Sequence, residues 1–132
     1  MTDWFARPIF CVTDIEASLH FYVDKLGFTN PWRYEEQGKV YVAQVERRGC
    51  AVILSATWPD KTDKAFLFVS LNVEPPTFEA GTAALDELRA ELETRGAPVR
   101  DGWWGYRLFI VDDPDGNQLL FNYPKESESV SE

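Results

Sequence analysis

The chain has 132 residues, 45% of them apolar and 27% charged, with a formal net charge of −9 at pH 7. That length suits one globular domain with a core of its own. The acidic balance excludes nucleic-acid binding through a basic patch, and no apolar run approaches a membrane span. The opening "MTDWFARPIF" lacks the basic and long apolar regions of a secretory signal, so a cytoplasmic location is expected. Cys11 and Cys50 lie inside apolar runs and are expected to be reduced, buried thiols rather than a disulfide.

In chain order, "FARPIFCVTD" reads as a strand, with Pro8 near its start suggesting an edge strand or an exchanged arm. Thr13 and Glu16 form the spacing of a capping box. Ile15, Leu19, Tyr22 and Leu26 then recur at helical spacing, and Gly27 is a suitable terminator. "FTNPWRYEE", "KVYVAQVE" and "CAVILSA" read as three strands joined by "QG" and "RRG" turns. "TWPDKTD" is a loop and "KAFLFVSLNV" a strand. "EPPTFEAG" is expected to be irregular, because it holds two adjacent prolines. "TAALDELRAELETRG" is a second helix, with Leu85, Leu88 and Leu92 on one face and Gly96 as its stop. "PVRDGWW", "YRLFIVD" and "NQLLFNY" are three further strands, and the polar, acidic residues 125–132 are expected to form a disordered tail.

The order is β-α-β-β-β, twice. Both halves run helix, glycine, strand, and both end in strand, glycine-containing turn, strand, with Gly49 and Gly116 in equivalent turns. The identity between the halves is weak, and the matching order of elements is the stronger signal.

The cluster "DDPDGN" at residues 112–117 raises the question of a metal loop. With Gly116 at the sixth position of a calcium loop, Val111 would be first and Asn122 twelfth, where carboxylates are required. A turn fits better: Asp113 and Asp115 have backbone-bonding roles, Pro114 sets φ and Gly116 supplies positive φ. His20 is the one histidine and falls in mid-helix, so neither a two-histidine iron site nor a Ser-His-Asp triad can be assembled within one chain. Cys50 has Arg47 and Arg48 nearby, yet its place at the head of a strand suits a small buried hydrophobe. No dinucleotide fingerprint or P-loop is present.

"PIFCVTDIEASLHFYVDKLGF" and "WWGYRLFIVDDPDGNQLLF" resemble the two signature blocks of the glyoxalase / bleomycin-resistance / extradiol-dioxygenase superfamily, also called vicinal oxygen chelate. The likeness spans roughly residues 6 to 124. It implies an α+β fold of two βαβββ modules, about 1–62 and 63–124, in one domain over 1–124, with curled mixed sheets around a cleft and pairing as a homodimer. Metal-using members place His, Glu or Gln at four strand positions inside that cleft. The resemblance puts these at Arg7, Ile53, Phe68 and Leu120, a guanidinium and three hydrocarbons that cannot ligate a divalent cation. No metal, cofactor or catalytic residue is therefore assigned.

The distinctive feature is aromatic. Trp32, Tyr34, Trp58, Phe66, Phe68, Trp103, Trp104 and Tyr106, with Arg107 beside them, fall in segments that the resemblance places around the cleft. They suit a planar, cationic or heteroaromatic ligand, and they equally suit a dimer interface. The bleomycin-resistance branch, whose members lack the metal site and confer antibiotic resistance by sequestering a planar basic drug, fits best. The long "NVEPPTFEAG" segment is a departure. The alternative reading is a lyase or isomerase of the same superfamily.

Overall fold

The computed structural model describes residues 2–58, 60, 64–103, 105 and 107–125. The predicted Trp104 and Tyr106 and the tail beyond Lys125 lie outside these residues. The order of elements is β1 (Ile9–Cys11), α1 (Ile15–His20, continuing as a π-helical turn over Phe21–Lys25), β2 (Thr29–Glu36), β3 (Lys39–Arg47), β4 (Cys50–Ser55), β5 (Phe66–Val69), α2 (Phe78–Thr94), β6 (Val99–Trp103), β7 (Arg107–Asp112) and β8 (Gln118–Asn122). No helix among the described residues is long and apolar enough to cross a membrane.

This is an α+β fold with two four-stranded mixed sheets, ordered β1-β4-β3-β2 and β5-β8-β7-β6. The same permutation appears in both. The first strand of each half pairs parallel with the fourth, and the remaining pairs are antiparallel. The chain separates into two compact units, residues 1–65 with 113–117, and residues 66–112 with 118–132.

In the first unit the turn residues set the strand register. Gln37 and Gly38 both take positive φ, as do Arg48 and Gly49, the left-handed pair that a tight antiparallel hairpin requires. Pro31 is tolerated because β2 lies at a sheet edge. Phe10, Ala43, Val45, Val52 and Leu54 alternate onto one sheet face and are buried, as are Ile15 and Leu19 of α1, which packs against β3 and β4. Tyr22 is buried edge-on to Phe21 and Phe28, with ring centroids 5.5 and 5.6 Å away.

The "DPDGN" segment is a turn, as its residue types predict. The amide of Gly116 donates to the Asp113 carbonyl at 2.9 Å, and the amide of Asp113 donates to the Asn117 carbonyl at 2.8 Å. The buried Asp113 carboxylate accepts from the Tyr22 hydroxyl (3.0 Å), the Asp115 and Asn117 amides (2.9 and 2.8 Å) and the Asn117 side chain (3.1 Å). Asn117 in turn donates to the Cys11 carbonyl and accepts from the Ala65 amide. Each acid or amide of the turn thus has a structural partner.

Three boundaries differ from expectation. Asp14, not Thr13, caps α1: its carboxylate accepts from the Glu16 and Ala17 amides at 3.1 and 3.2 Å. A charged acceptor is favoured at a helix N-terminus, and the Thr13 hydroxyl is taken instead by Asp115 at 2.8 Å. α2 begins at Phe78, so the segment expected to be irregular is partly helical. The prolines exclude helix only as far as Pro76, after which Thr77 caps the Ala80 amide at 3.1 Å. β5 ends at Val69 because Asn122, at the end of β8, turns its amide onto the Val69 carbonyl (2.6 Å) and the Ser70 hydroxyl (2.9 Å) and so closes the ladder.

In the second unit α2 covers one face. Leu85 and Leu92 are buried, the Arg89 guanidinium lies over the Phe109 ring, and the Tyr123 hydroxyl donates to Asp86 at 2.7 Å. Phe109 and Phe121 stack on that face with centroids 4.8 Å apart.

The Tyr22–Asp113 pair gives a pH-dependent test. Burial pushes the Asp113 carboxyl above the ordinary aspartate range, against the opposing pull of its hydrogen bonds. A native pKa above the unfolded one means the native state holds the proton more tightly. Stability therefore falls as pH rises from about 4 through the raised value. Tyr22→Phe removes a donor that favours the ionised form and moves that value further up. The variant is expected to lose about 1–3 kcal/mol at pH 7 by chemical denaturation and distinctly less at pH 4. An equal deficit at both values would mean that the hydroxyl does not sense the carboxylate's charge.

Candidate functional site

A strand alternates its side chains between two faces, and each helix covers one. The opposite faces carry the aromatic residues predicted as ligand-binding, in part. In the first unit the cross-strand register aligns Trp32, Gln44, Ile53 and Ile9 in one row, and Tyr34, Val42, Ser55 and Cys11 in the next. Trp32 is 40% exposed, and Tyr34 and Ile9 are also exposed. Trp58 follows β4 and is exposed, outside these rows.

Two side chains on this face, Gln44 and Ser55, are polar and buried, and Gln44 is the larger. Gln44 is only 7% accessible. Its Oε1 accepts from the Trp32 indole Nε1 at 2.9 Å and from Arg7 Nη1 at 2.6 Å. Its Nε2 donates to Glu46 Oε1 at 3.3 Å. The backbone beneath is pinned as well, since the Asn30 side chain donates to the Trp32 and Gln44 carbonyls at 2.9 and 2.8 Å. Sequence reasoning missed this group. The available signal was a glutamine inside an otherwise apolar stretch of "YVAQVE".

In the second unit Phe66 and Phe68 pair with Gln118 and Leu120 on the side away from α2, and they are 64% and 43% exposed. Leu120 and its partner Ile110 on that side are buried, and Arg100 there pairs with Asp112 at 2.8 Å. Trp103 and Arg107 fall on the opposite side, in phase with Asp101 and Phe109. Trp103 is 72% exposed. Arg107 lies over the Tyr123 ring at 3.9 Å and 3.6 Å from Asp86. Burial and the bond to Asp86 push the Tyr123 hydroxyl up to about 12. The residues predicted as ligand-binding in this unit are therefore divided between two faces. Strand parity puts Gly102, not Trp103, on the side of Phe68.

Of the four positions that the resemblance assigns to metal donors, two fall in each unit, on the faces away from the helices. Ile53 pairs with Ile9, two residues beyond Arg7, and Phe68 pairs with Leu120. Their side chains do not fit a divalent cation. Among the described residues no group of three or more His, Cys, Asp or Glu stands close enough to hold one. His20 is exposed on α1, 3.1 Å from Asp24. Arg47, expected beside Cys50, donates to the Leu26 carbonyl at 2.7 Å. Burial pushes the Cys50 thiol above its ordinary pKa, which lowers the fraction of thiolate. The second unit also holds a cavity of about 310 Å3 between the β5–α2 segment and the end of β8, bordered by Leu71, Pro76, Phe78, Leu85 and Asn122.

The family model of the Glyoxalase/Bleomycin resistance protein/Dioxygenase superfamily matches residues 3–121. Among curated proteins, the bleomycin resistance protein of Geobacillus stearothermophilus is 29% identical over 126 residues, covering 86% of this chain and 92% of that one. Among solved structures, TnmS3, an antibiotic binding protein from Streptomyces sp. CB03234, superposes with a TM-score of 0.68 at 22% identity, covering 95% and 99% of the two chains. The lactoylglutathione lyase of Agrobacterium tumefaciens superposes with a TM-score of 0.64 at 14% identity, covering 92% and 95%.

The thiol environment is directly measurable. In a Cys11→Ser variant at pH 8, Cys50 is expected to react with a disulfide reagent at least tenfold more slowly than a free thiol, and at the free-thiol rate once the chain is unfolded. Both cysteines are free, as expected, but half-buried rather than buried, and equal rates in the folded and unfolded protein would contradict the partial shielding of Cys50.

Proposed function

The chain belongs to the Glyoxalase/Bleomycin resistance protein/Dioxygenase superfamily, and from that membership we propose a metal-independent small-molecule binder of the bleomycin-resistance type. It sequesters a planar aromatic or cationic ligand in a cleft formed where two copies pair. The observation that carries this reading is the chemistry of the sheet faces away from the helices, which expose Trp32, Tyr34, Phe66 and Phe68. The four positions that the resemblance assigns to metal donors hold Arg7, Ile53, Phe68 and Leu120. Large aromatic side chains left open to water on rigid strands are costly unless a partner covers them. Each stacking or cation–π contact contributes about 0.5–2 kcal/mol. The net charge of −9 favours a cationic partner over an anionic one in the long-range field. Sequestration needs affinity and no catalytic group, and the exposed His20 stands on α1 beside Asp24. The curated relatives named as bleomycin resistance proteins support the same class of ligand.

Titration with bleomycin and a panel of cationic aromatics, followed by tryptophan fluorescence, tests the proposal. Saturable quenching is expected with at least one compound, and Trp32→Ala should weaken it about 2- to 30-fold. Unchanged emission with every compound would remove the binder reading. The rival reading is a lyase or isomerase, in keeping with the glyoxalase and dioxygenase members of the superfamily. Stoichiometric nickel, zinc, iron or manganese in the purified protein would favour it over the binder reading.

A further inference from the structure

The polar group on the first sheet says more about the ligand than the exposed rings do. Gln44 Oε1 receives two N–H donors, from Trp32 and from Arg7, so the indole edge and the guanidinium stand side by side on one carbonyl. The glutamine is nearly inaccessible, and its own amide is tied to Glu46, so this carbonyl has little freedom to move. An indole has two rotatable side-chain torsions and an arginine four. Fixing both through one buried acceptor removes that freedom before a ligand arrives, which is how preorganisation improves affinity. Arg7 is exposed, and Nη1 to Gln44 is its one hydrogen bond among the described residues. Its guanidinium carbon lies over the Phe5 ring, 5.4 Å from the centroid. The rest of its N–H edge remains available to donate to an acceptor, in the fork geometry that suits carbonyl and carboxylate oxygens.

We propose that Arg7, Gln44 and Trp32 form a single recognition point, resting on the binder reading above and narrowing its ligand. Trp32 offers a ring face to a flat molecule. Arg7 donates to a carbonyl or carboxylate oxygen carried on that same ring. Gln44 touches neither part of the ligand and acts as the positioning residue for both. The preferred ligand is thus a planar ring with an attached hydrogen-bond acceptor, and any cationic group it carries lies elsewhere on the molecule.

The test compares two probes, quinoline and quinoline-2-carboxamide, by chemical-shift titration of the full chain. The indole N–H signal of Trp32 is identified from its loss in Trp32→Phe. The carboxamide is expected to bind about 5- to 10-fold more tightly than the parent ring, the worth of one good hydrogen bond. Arg7→Met should bring that ratio to about one. Gln44→Leu should also abolish the ratio, and it should shift the Trp32 indole proton upfield and speed its exchange in the ligand-free protein. Gln44→Glu, which keeps an acceptor for both donors, should retain the downfield indole signal. The proposal is overturned if wild type does not discriminate between the probes, or if the ratio survives Arg7→Met. It is overturned equally if the indole proton is indifferent to Gln44→Leu. A wild type that binds neither probe also overturns the recognition point, while saturable quenching by bleomycin would leave the binder reading standing. Flat emission with every compound would remove the binder reading itself.

Discussion

A single helix laid on a four-stranded sheet covers one face of it. In both units that face takes the alternate residues of each strand, Phe10, Ala43 and Leu54 in one and Phe109, Val111, Leu119 and Phe121 in the other. The other face is left to side chains chosen for something besides core packing. In the first unit these include an exposed tryptophan and tyrosine around a buried glutamine, and in the second two exposed phenylalanines. The functional reading depends on this division, because strand parity decides which side chains share a surface.

The same constraint explains why the predicted set of ligand-binding residues does not form one group. Trp32 and Tyr34 are two apart and share a face, as do Phe66 and Phe68. Trp103 and Arg107 are directly opposite each other across β6 and β7, but in phase with Asp101 and Phe109 on the α2 side. There Arg107 is engaged by Asp86 and Tyr123, and Arg89 draws the Asp101 carboxyl below the ordinary range through a bond of 2.6 Å. These groups stabilise the helix–sheet packing of their unit.

The acid-rich turn shows how a motif with the look of a metal loop is used up by the fold. Asp113 accepts four hydrogen bonds and Asp115 two, the latter from the Thr13 amide and hydroxyl. A carboxylate so supplied with neutral donors needs no cation. Its hydrogen bonds offset part of the cost of burial, which still leaves the Asp113 carboxyl above the ordinary range.

The sequence by itself determined the doubled β-α-β-β-β order, the glycine turns and the helix faces. These depend on local period and residue chemistry, which survive whatever the chain packs against. Boundaries were less legible. The cap moved from Thr13 to Asp14 and β5 stopped at Val69 because residues far away in sequence took the bonds, while α2 began before the predicted start on the local cap of Thr77. Only the tertiary structure decided that Gln44 joins Arg7 to Trp32. Arg7 and Gln44 are 37 residues apart and meet through strand register. A one-residue slip in that register would send the glutamine to the helix side, where its carbonyl would meet neither donor.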